Sequence, residues 1–284
     1  MPDNIHSVGV IGAGTMGLGI AQVTAMAGYN VLLFDRVPGA NKKAIVRIGE
    51  NLQKGIEKGK VTQQEMDVAL GKIKPLKSLS EMKAELVIEA IIENLKVKQQ
   101  LFSELEYVLS EEAILCTNTS SISVTKIAAA LKHPQRFVGM HFFNPAHIMK
   151  LVEVVSESDT SEVVLDRARR FVSRLGKTPI MVKDAPGFIV NRVARHFYVE
   201  SLRILEEQVA PIEDIDKLVE ATGFKMGPFR LMDLIGVDTN FAVTSTIYNG
   251  FHHDAKFRPS RIQEQMVAAG HNGRKSGRGF YSYE

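Results

Sequence analysis

Short apolar runs alternate with longer stretches of helical period over roughly the first two-thirds of the chain, and only the helical period continues beyond them. The apolar runs fall at 7–11, 31–34, 85–90, 113–116, 136–141, 151–155 and 178–182, each short enough for a buried strand. Between them lie helical patterns. One follows Gly17 with Ile20, Val23, Thr24 and Ala27 on one face and stops at Gly28, a second runs from 38 to 60, and a third opens at the capping box Thr62/Glu65. Others carry Leu95, Leu101 and Leu105, or span 124–131 and 158–175. Turn residues cluster at 183–187, after which helical segments remain at 190–205, 212–222, from Gly227, and 237–248. Strands alternating with helices, then helices only, predict an α/β fold: a Rossmann-like doubly wound sheet domain at 1–186 followed by an all-helical C-terminal domain at 187–284.

The first run passes directly into Gly12-Ala-Gly14-Thr15-Met16-Gly17, then a helix, then a strand ending in Asp35. Strand, Gly-x-Gly-x-x-Gly, helix, strand and acid together form a dinucleotide-binding fingerprint. Gly12 permits the tight turn, Gly14 admits the pyrophosphate, and Gly17 lets helix and strand pack closely. The helix N-terminus offers N–H groups to phosphate. Asp35 suits a ribose diol and repels a 2′-phosphate, which selects NAD rather than NADP; Arg36 beside it works against that preference.

Two apolar runs each contain one polar residue, and a buried polar group without a partner costs roughly 2–7 kcal/mol. His141 ends one run and Glu153 lies inside the next. Paired, they make an imidazole general base oriented by a carboxylate; taken singly, a core histidine and an edge-strand charge explain them as well. Ser120 lies in the hydroxyl-rich turn 117–121, either part of a helix cap or a ligand contact at a strand's C-terminal end. Lys54 and Lys58 share a helix face, ordinarily a solvated one.

Composition narrows the class without naming it. With 45% hydrophobic and 24% charged residues and a net charge of +3, the chain reads as globular, with no general nucleic-acid or membrane surface. The single Cys116 allows neither an internal disulfide nor a cysteine-based zinc site, and no metal is expected. The absence of a signal-like segment points to a cytoplasmic protein.

Nearly the whole chain resembles the L-3-hydroxyacyl-CoA dehydrogenases, especially the short bacterial 3-hydroxybutyryl-CoA dehydrogenases. The resemblance rests on 8–17, Asn-Thr-Ser-Ser at 118–121, His-Phe-Phe-Asn-Pro at 141–145, Lys-Leu-Val-Glu-Val at 150–154, Pro-Gly-Phe-Ile-Val-Asn-Arg at 186–192 and Gly-Arg-Lys-Ser-Gly-Arg-Gly-Phe-Tyr at 273–281. It implies reversible hydride transfer between a 3-hydroxyacyl thioester and NAD, with His141 as base, Glu153 as its partner, and Ser120 and Asn191 at the reacting oxygen. It also implies cofactor contacts at Glu93, Lys98, Ser120, Asn144 and Lys275 beside the glycine loop. Lys54, Lys58 and Ser120 would meet the CoA substrate, and a homodimer would form through the helical domain. A 3-hydroxyadipyl-CoA or L-gulonate-type dehydrogenase of the same fold is the nearest alternative, and a nicotinamide-binding crystallin-type protein a remoter one. His147 departs from the pattern, standing where related sequences usually carry proline; it points to solvent or lines the pocket mouth.

Overall fold

The structure, a computed structural model, describes residues 5–283, and the chain divides into two compact units, Met1–Asp184 and Ala185–Glu284. The first unit runs β1 (Ser7–Ile11), α1 (Thr15–Met26), β2 (Asn30–Phe34), α2 (Ala40–Glu57), α3 (Gln63–Gly71), β3 (Ile73–Pro75), β4 (Leu86–Glu89), α4 (Leu95–Val108), β5 (Ile114–Thr117), α5 (Val124–Ala128), β6 (Phe137–Phe142), β7 (Leu151–Ser156), α6 (Glu162–Arg174) and β8 (Thr178–Lys183). Its strands form one sheet in the order β3-β2-β1-β4-β5-β6-β7-β8. Pairing is parallel from β3 to β6, antiparallel between β6 and β7, and parallel again between β7 and β8. This is the doubly wound sheet expected from the alternation of runs. Strand order reverses between β1 and β4, so the crevice beyond their C-terminal ends is where such sheets bind ligands.

The core explains why these runs became strands. Val8, Val10, Val31, Leu33, Leu86, Ile88, Ile114, Cys116, Val138 and Met140 are buried in one continuous cluster with helix residues Ile20, Ile48 and Leu52. Residues buried on both faces read as unbroken apolar runs rather than alternating ones. Burial pushes the Cys116 thiol well above its usual range, so it packs as a small hydrophobe.

Local differences from the sequence pattern have simple causes. The buried face of α1 includes Ala21 and Ala25, whereas Ala27 is exposed and caps the helix. Strand β3 escapes the pattern because it is three residues long and its Lys74 and Pro75 are exposed. Helix α5 stops at Ala128 rather than near 131. The apolar run at 178–182 became an exposed edge strand with Ile180 and Met181 at the surface.

The second unit is helical: α7 (Val190–Glu206), α8 (Ile212–Ala221), α9 (Pro228–Ile235), α10 (Val237–Gly250) and α11 (Arg261–Ala268), the last unpredicted. Tyr198, Leu202, Ile215, Phe229 and Met232 form its core. Two buried carboxylates fasten the C-terminal tail to it. Asp233 accepts from the Phe280 and Tyr281 amides and the Tyr283 hydroxyl at 2.9 Å. Asp216 accepts from the Tyr281 hydroxyl at 2.8 Å. A Cβ on Gly279 would collide with the Asp233 carboxylate and one on Gly273 with the Asp233 backbone, so those two glycines of the 273–281 motif let the tail pack against this residue.

Candidate active site

The glycine loop joins β1 to α1 and is shaped by close backbone approaches. Gly12 has φ +100°, and a Cβ there would strike the Ala90 carbonyl; one on Gly17 would strike the Gly12 carbonyl. At Gly14, the N-cap of α1, a Cβ would meet nothing within 4 Å, and no side chain caps the helix. The first N–H groups of α1 therefore face open space, as an anion requires. Beside them lies a cavity of about 550 Å³ walled by Ile11, Asp35, Val37, Ala90, Ile91 and Leu101, among others. Asp35 accepts from the Ala13 amide at 2.7 Å and the Val37 amide at 2.8 Å, setting the loop against β2. Each carboxylate oxygen keeps a further lone pair for a hydroxyl. Arg36 is turned to Glu104 at 2.6 Å. An open helix terminus, an apolar slot and an acid at the end of β2 fit NAD.

Three strands along, β6 and β7 place the His–Glu pair. His141 and Glu153 are directly opposed in the antiparallel register, and His141 Nδ1 lies 2.8 Å from Glu153 Oε2. The side chains are 7% and 1% exposed, so water competes little with the bond. The end of β6 is tied to the turn after β5 by Asn118, whose Oδ1 accepts from the Phe142 amide at 2.8 Å. Ser120 and His141 thus leave the C-terminal ends of adjacent parallel strands, on the same sheet edge as the glycine loop.

The Ser120 turn is organised by charge. Glu93 Oε1 accepts from the Thr119 hydroxyl at 2.7 Å and from the Ser120 and Ser121 amides at 2.9 and 3.1 Å. Its other oxygen lies 3.2 Å from Lys98. Burial alone would raise the Glu93 carboxyl, but the Lys98 ammonium and the hydrogen bonds from Thr119, Ser120 and Lys98 outweigh it and hold it below the usual 4.5. Lys98 itself is buried in the first turn of α4, 2.6 Å from Glu89. Glu89, fully buried in β4, was missed in the sequence because it stands at the end of an apolar run. The signal was present: it is a lone carboxylate in a buried strand, as Glu153 is.

A second cavity of about 390 Å³ lies between the glycine loop, α2 and the segment after β6. Lys43, Arg47, Asn51, Asn144 and His147 line it. His147 therefore lines a cavity rather than pointing wholly to solvent. Burial and the Lys177 ammonium both lower its pKa below the usual 6.5. Lys177 holds this segment by donating to the Ala146 and Met149 carbonyls, each at 2.6 Å. Lys54 and Lys58 are exposed at the C-terminal end of α2. Positions 43, 47, 51, 54 and 58 fall on one helical stripe, a repeat that would have revealed Lys43 and Arg47.

In the second unit, Asn191 lies in the first turn of α7. Lys275 pairs with Asp238 at 2.6 Å.

These features define a dinucleotide-binding sheet unit bearing a histidine–carboxylate pair, followed by a helical unit. Residues 7–185 match the family model "3-hydroxyacyl-CoA dehydrogenase, NAD binding domain" and residues 187–283 match "3-hydroxyacyl-CoA dehydrogenase, C-terminal domain". The chain belongs to the 3-hydroxyacyl-CoA dehydrogenase family. It is 41% identical to the 3-hydroxybutyryl-CoA dehydrogenase of Mycobacterium tuberculosis (strain H37Rv), covering 100% of both chains. It is 46% identical to the 3-hydroxyadipyl-CoA dehydrogenase of Escherichia coli (strain K12), covering 99% of this chain but 59% of that longer protein. The crystal structure of (S)-3-hydroxybutyryl-CoA dehydrogenase from Ralstonia eutropha superposes with a TM-score of 0.96 at 40% identity, covering 99% of this chain and 100% of that one.

Proposed function

We propose that this protein is an NAD-dependent dehydrogenase interconverting (S)-3-hydroxyacyl-CoA and 3-ketoacyl-CoA, with 3-hydroxybutyryl-CoA and acetoacetyl-CoA as the leading pair. The observation that carries the reading is the buried His141–Glu153 bond of 2.8 Å at the sheet edge that also bears the glycine loop. With Nδ1–H donated to Glu153, Nε2 is the basic atom, and it takes the hydroxyl proton as the substrate is oxidised. Glu153 fixes the tautomer and stabilises the imidazolium. The bound cofactor supplies hydride acceptance and return. Ser120 and Asn191 donate to the substrate oxygen as it becomes a carbonyl. The turn that carries Ser120 is supported by Glu93.

The glycine loop, Thr15, Met16, Asp35, Glu93, Lys98, Asn144 and Lys275 form the cofactor set. Asp35, with Arg36 engaged by Glu104, supports NAD over NADP. The α2 stripe of Lys43, Arg47, Lys54 and Lys58 supports an anionic CoA rather than a free hydroxy acid, and so disfavours an L-gulonate-type substrate. A dicarboxylic acyl group is the second reading, favoured by the name of the E. coli relative. Exposed Val193, Leu218, Leu234 and Ile235 in the second unit support a homodimer formed there. The buried Cys116 and the lack of a disulfide suit a cytoplasmic enzyme.

NADH oxidation measured over a ladder of 3-ketoacyl-CoA thioesters, a dicarboxylic member and free acids tests the reading. Acetoacetyl-CoA should give the highest kcat/KM. His141→Gln should bind NADH normally and lose about a thousandfold or more in turnover. Wild-type rates in that variant would end the assignment.

A further inference from the structure

We infer that Glu89 is a positioning residue, which holds the Ser120 turn and one wall of the cofactor cavity in a single charge-linked unit. This rests on the dehydrogenase reading above. Glu89 sits at the C-terminal end of β4 with a fully buried carboxylate. Each of its oxygens reaches the 117–121 turn by a different route. Oε2 accepts from the Thr117 hydroxyl at 2.8 Å, and Thr117 Oγ1 in turn accepts from the Thr119 amide at 3.3 Å. Oε1 binds Lys98 at 2.6 Å; Lys98 meets Glu93, and Glu93 accepts from the Ser120 and Ser121 amides. Oε1 also accepts from the Ile91 amide at 2.8 Å, and Ile91 walls the larger cavity.

A buried carboxylate facing a buried ammonium is costly to assemble, and a hydrophobic filler would serve packing as well or better. What the charges add is direction. With one ammonium between two carboxylates, Glu93 cannot swing away without leaving Lys98 half-paired in a buried site. The turn bearing Ser120 therefore inherits the rigidity of the sheet, which a hydrogen-bond donor to a reacting oxygen requires.

Glu89→Gln is the test, because it keeps size and an acceptor for Thr117 while removing the charge that Lys98 answers. Amide exchange measured by NMR should accelerate about tenfold at Ser120 and Ser121. In turnover, kcat should fall about tenfold to a hundredfold while KM for acetoacetyl-CoA stays within about twofold. A second variant, Glu89→Leu with Lys98→Met, removes the buried charges together. Its melting temperature should recover relative to Glu89→Gln, but kcat and amide protection should not. Wild-type exchange in Glu89→Gln, or recovery of kcat with stability in the double variant, would overturn the proposal. The exchange measurement needs no substrate, so it decides the role of Glu89 even if the acyl-CoA assignment fails.

Discussion

Two strands of the same sheet each bury a glutamate, and the partners they have drawn differ in kind. Glu153 on β7 and Glu89 on β4 are both 0% exposed, so both had to be neutralised or hydrogen-bonded. Glu153 faces an imidazole across the antiparallel ladder, where opposed side chains meet without any turn of the backbone. Glu89 faces an ammonium delivered by the first turn of the following helix. An imidazole gains and loses a proton near neutrality, so the first pair can move one. Lys98 is fixed 2.6 Å from Glu89 and 3.2 Å from Glu93, so the second pair holds a shape. The same side chain in the same kind of strand thus supports either chemistry or scaffolding, and the partner decides which.

The sharpest break in that comparison is Lys98→Met. It leaves Glu89 buried without its counter-charge, and breaking such a pair costs about 3–5 kcal/mol, measured as a lowered urea midpoint at neutral pH. A loss below about 1 kcal/mol would mean that the site tolerates an unpaired Glu89 and is no scaffold.

Glu153→Gln is the complementary break and should act on turnover. The amide keeps the size of the carboxylate but cannot stabilise an imidazolium. A drop of about a hundredfold to a thousandfold in kcat, roughly 2.7–4 kcal/mol of barrier, is expected. Stability should change by no more than about 1.5 kcal/mol. If the variant loses stability as Lys98→Met does and keeps its kcat, the two glutamates are of one kind.

The difference between the two pairs also explains what was legible in the sequence. His141 and Glu153 announced themselves as lone polar residues in consecutive apolar runs, and the sheet only had to pair them. The glycine loop was legible because its glycines recur at fixed spacing for local reasons: a Cβ would collide with Ala90 at position 12 and with Gly12 at position 17, and position 14 is left open. Glu89 offered the same signal at the end of its run, but its partner did not: Lys98 approaches from an adjacent helix, and nothing in the strand's own periodicity forecasts that approach. The β7 reversal follows from the short link between Phe142 and Leu151, since parallel neighbours need a crossover of about a dozen residues or more. The hold of Lys177 on that link, through the Ala146 and Met149 carbonyls, is what the local pattern does not forecast. Composition could not supply Asp233 and Asp216 either, since their role depends on a tail that folds back onto α8 and α9.

The mildest test separates the two pairs by pH. Glu93, the outer member of the Lys98 cluster, has its carboxyl held below the usual 4.5 despite the opposing effect of burial, chiefly by the Lys98 ammonium. A carboxylate whose folded pKa is depressed binds fewer protons folded than unfolded. Its contribution is therefore complete above the unfolded value and is lost as pH falls through the folded one. The stability gap between wild type and Glu93→Gln should be constant at neutral pH and should narrow as pH falls below the usual 4.5. Because the Glu93 side chain is 36% exposed, solvent screens much of the field, and the narrowing should stay below about 1 kcal/mol. Urea titrations of both proteins across that range measure it, since carboxylates common to the two cancel. A gap that widens on acidification would mean that burial, not Lys98, governs Glu93, and the scaffold would lose its electrostatic basis.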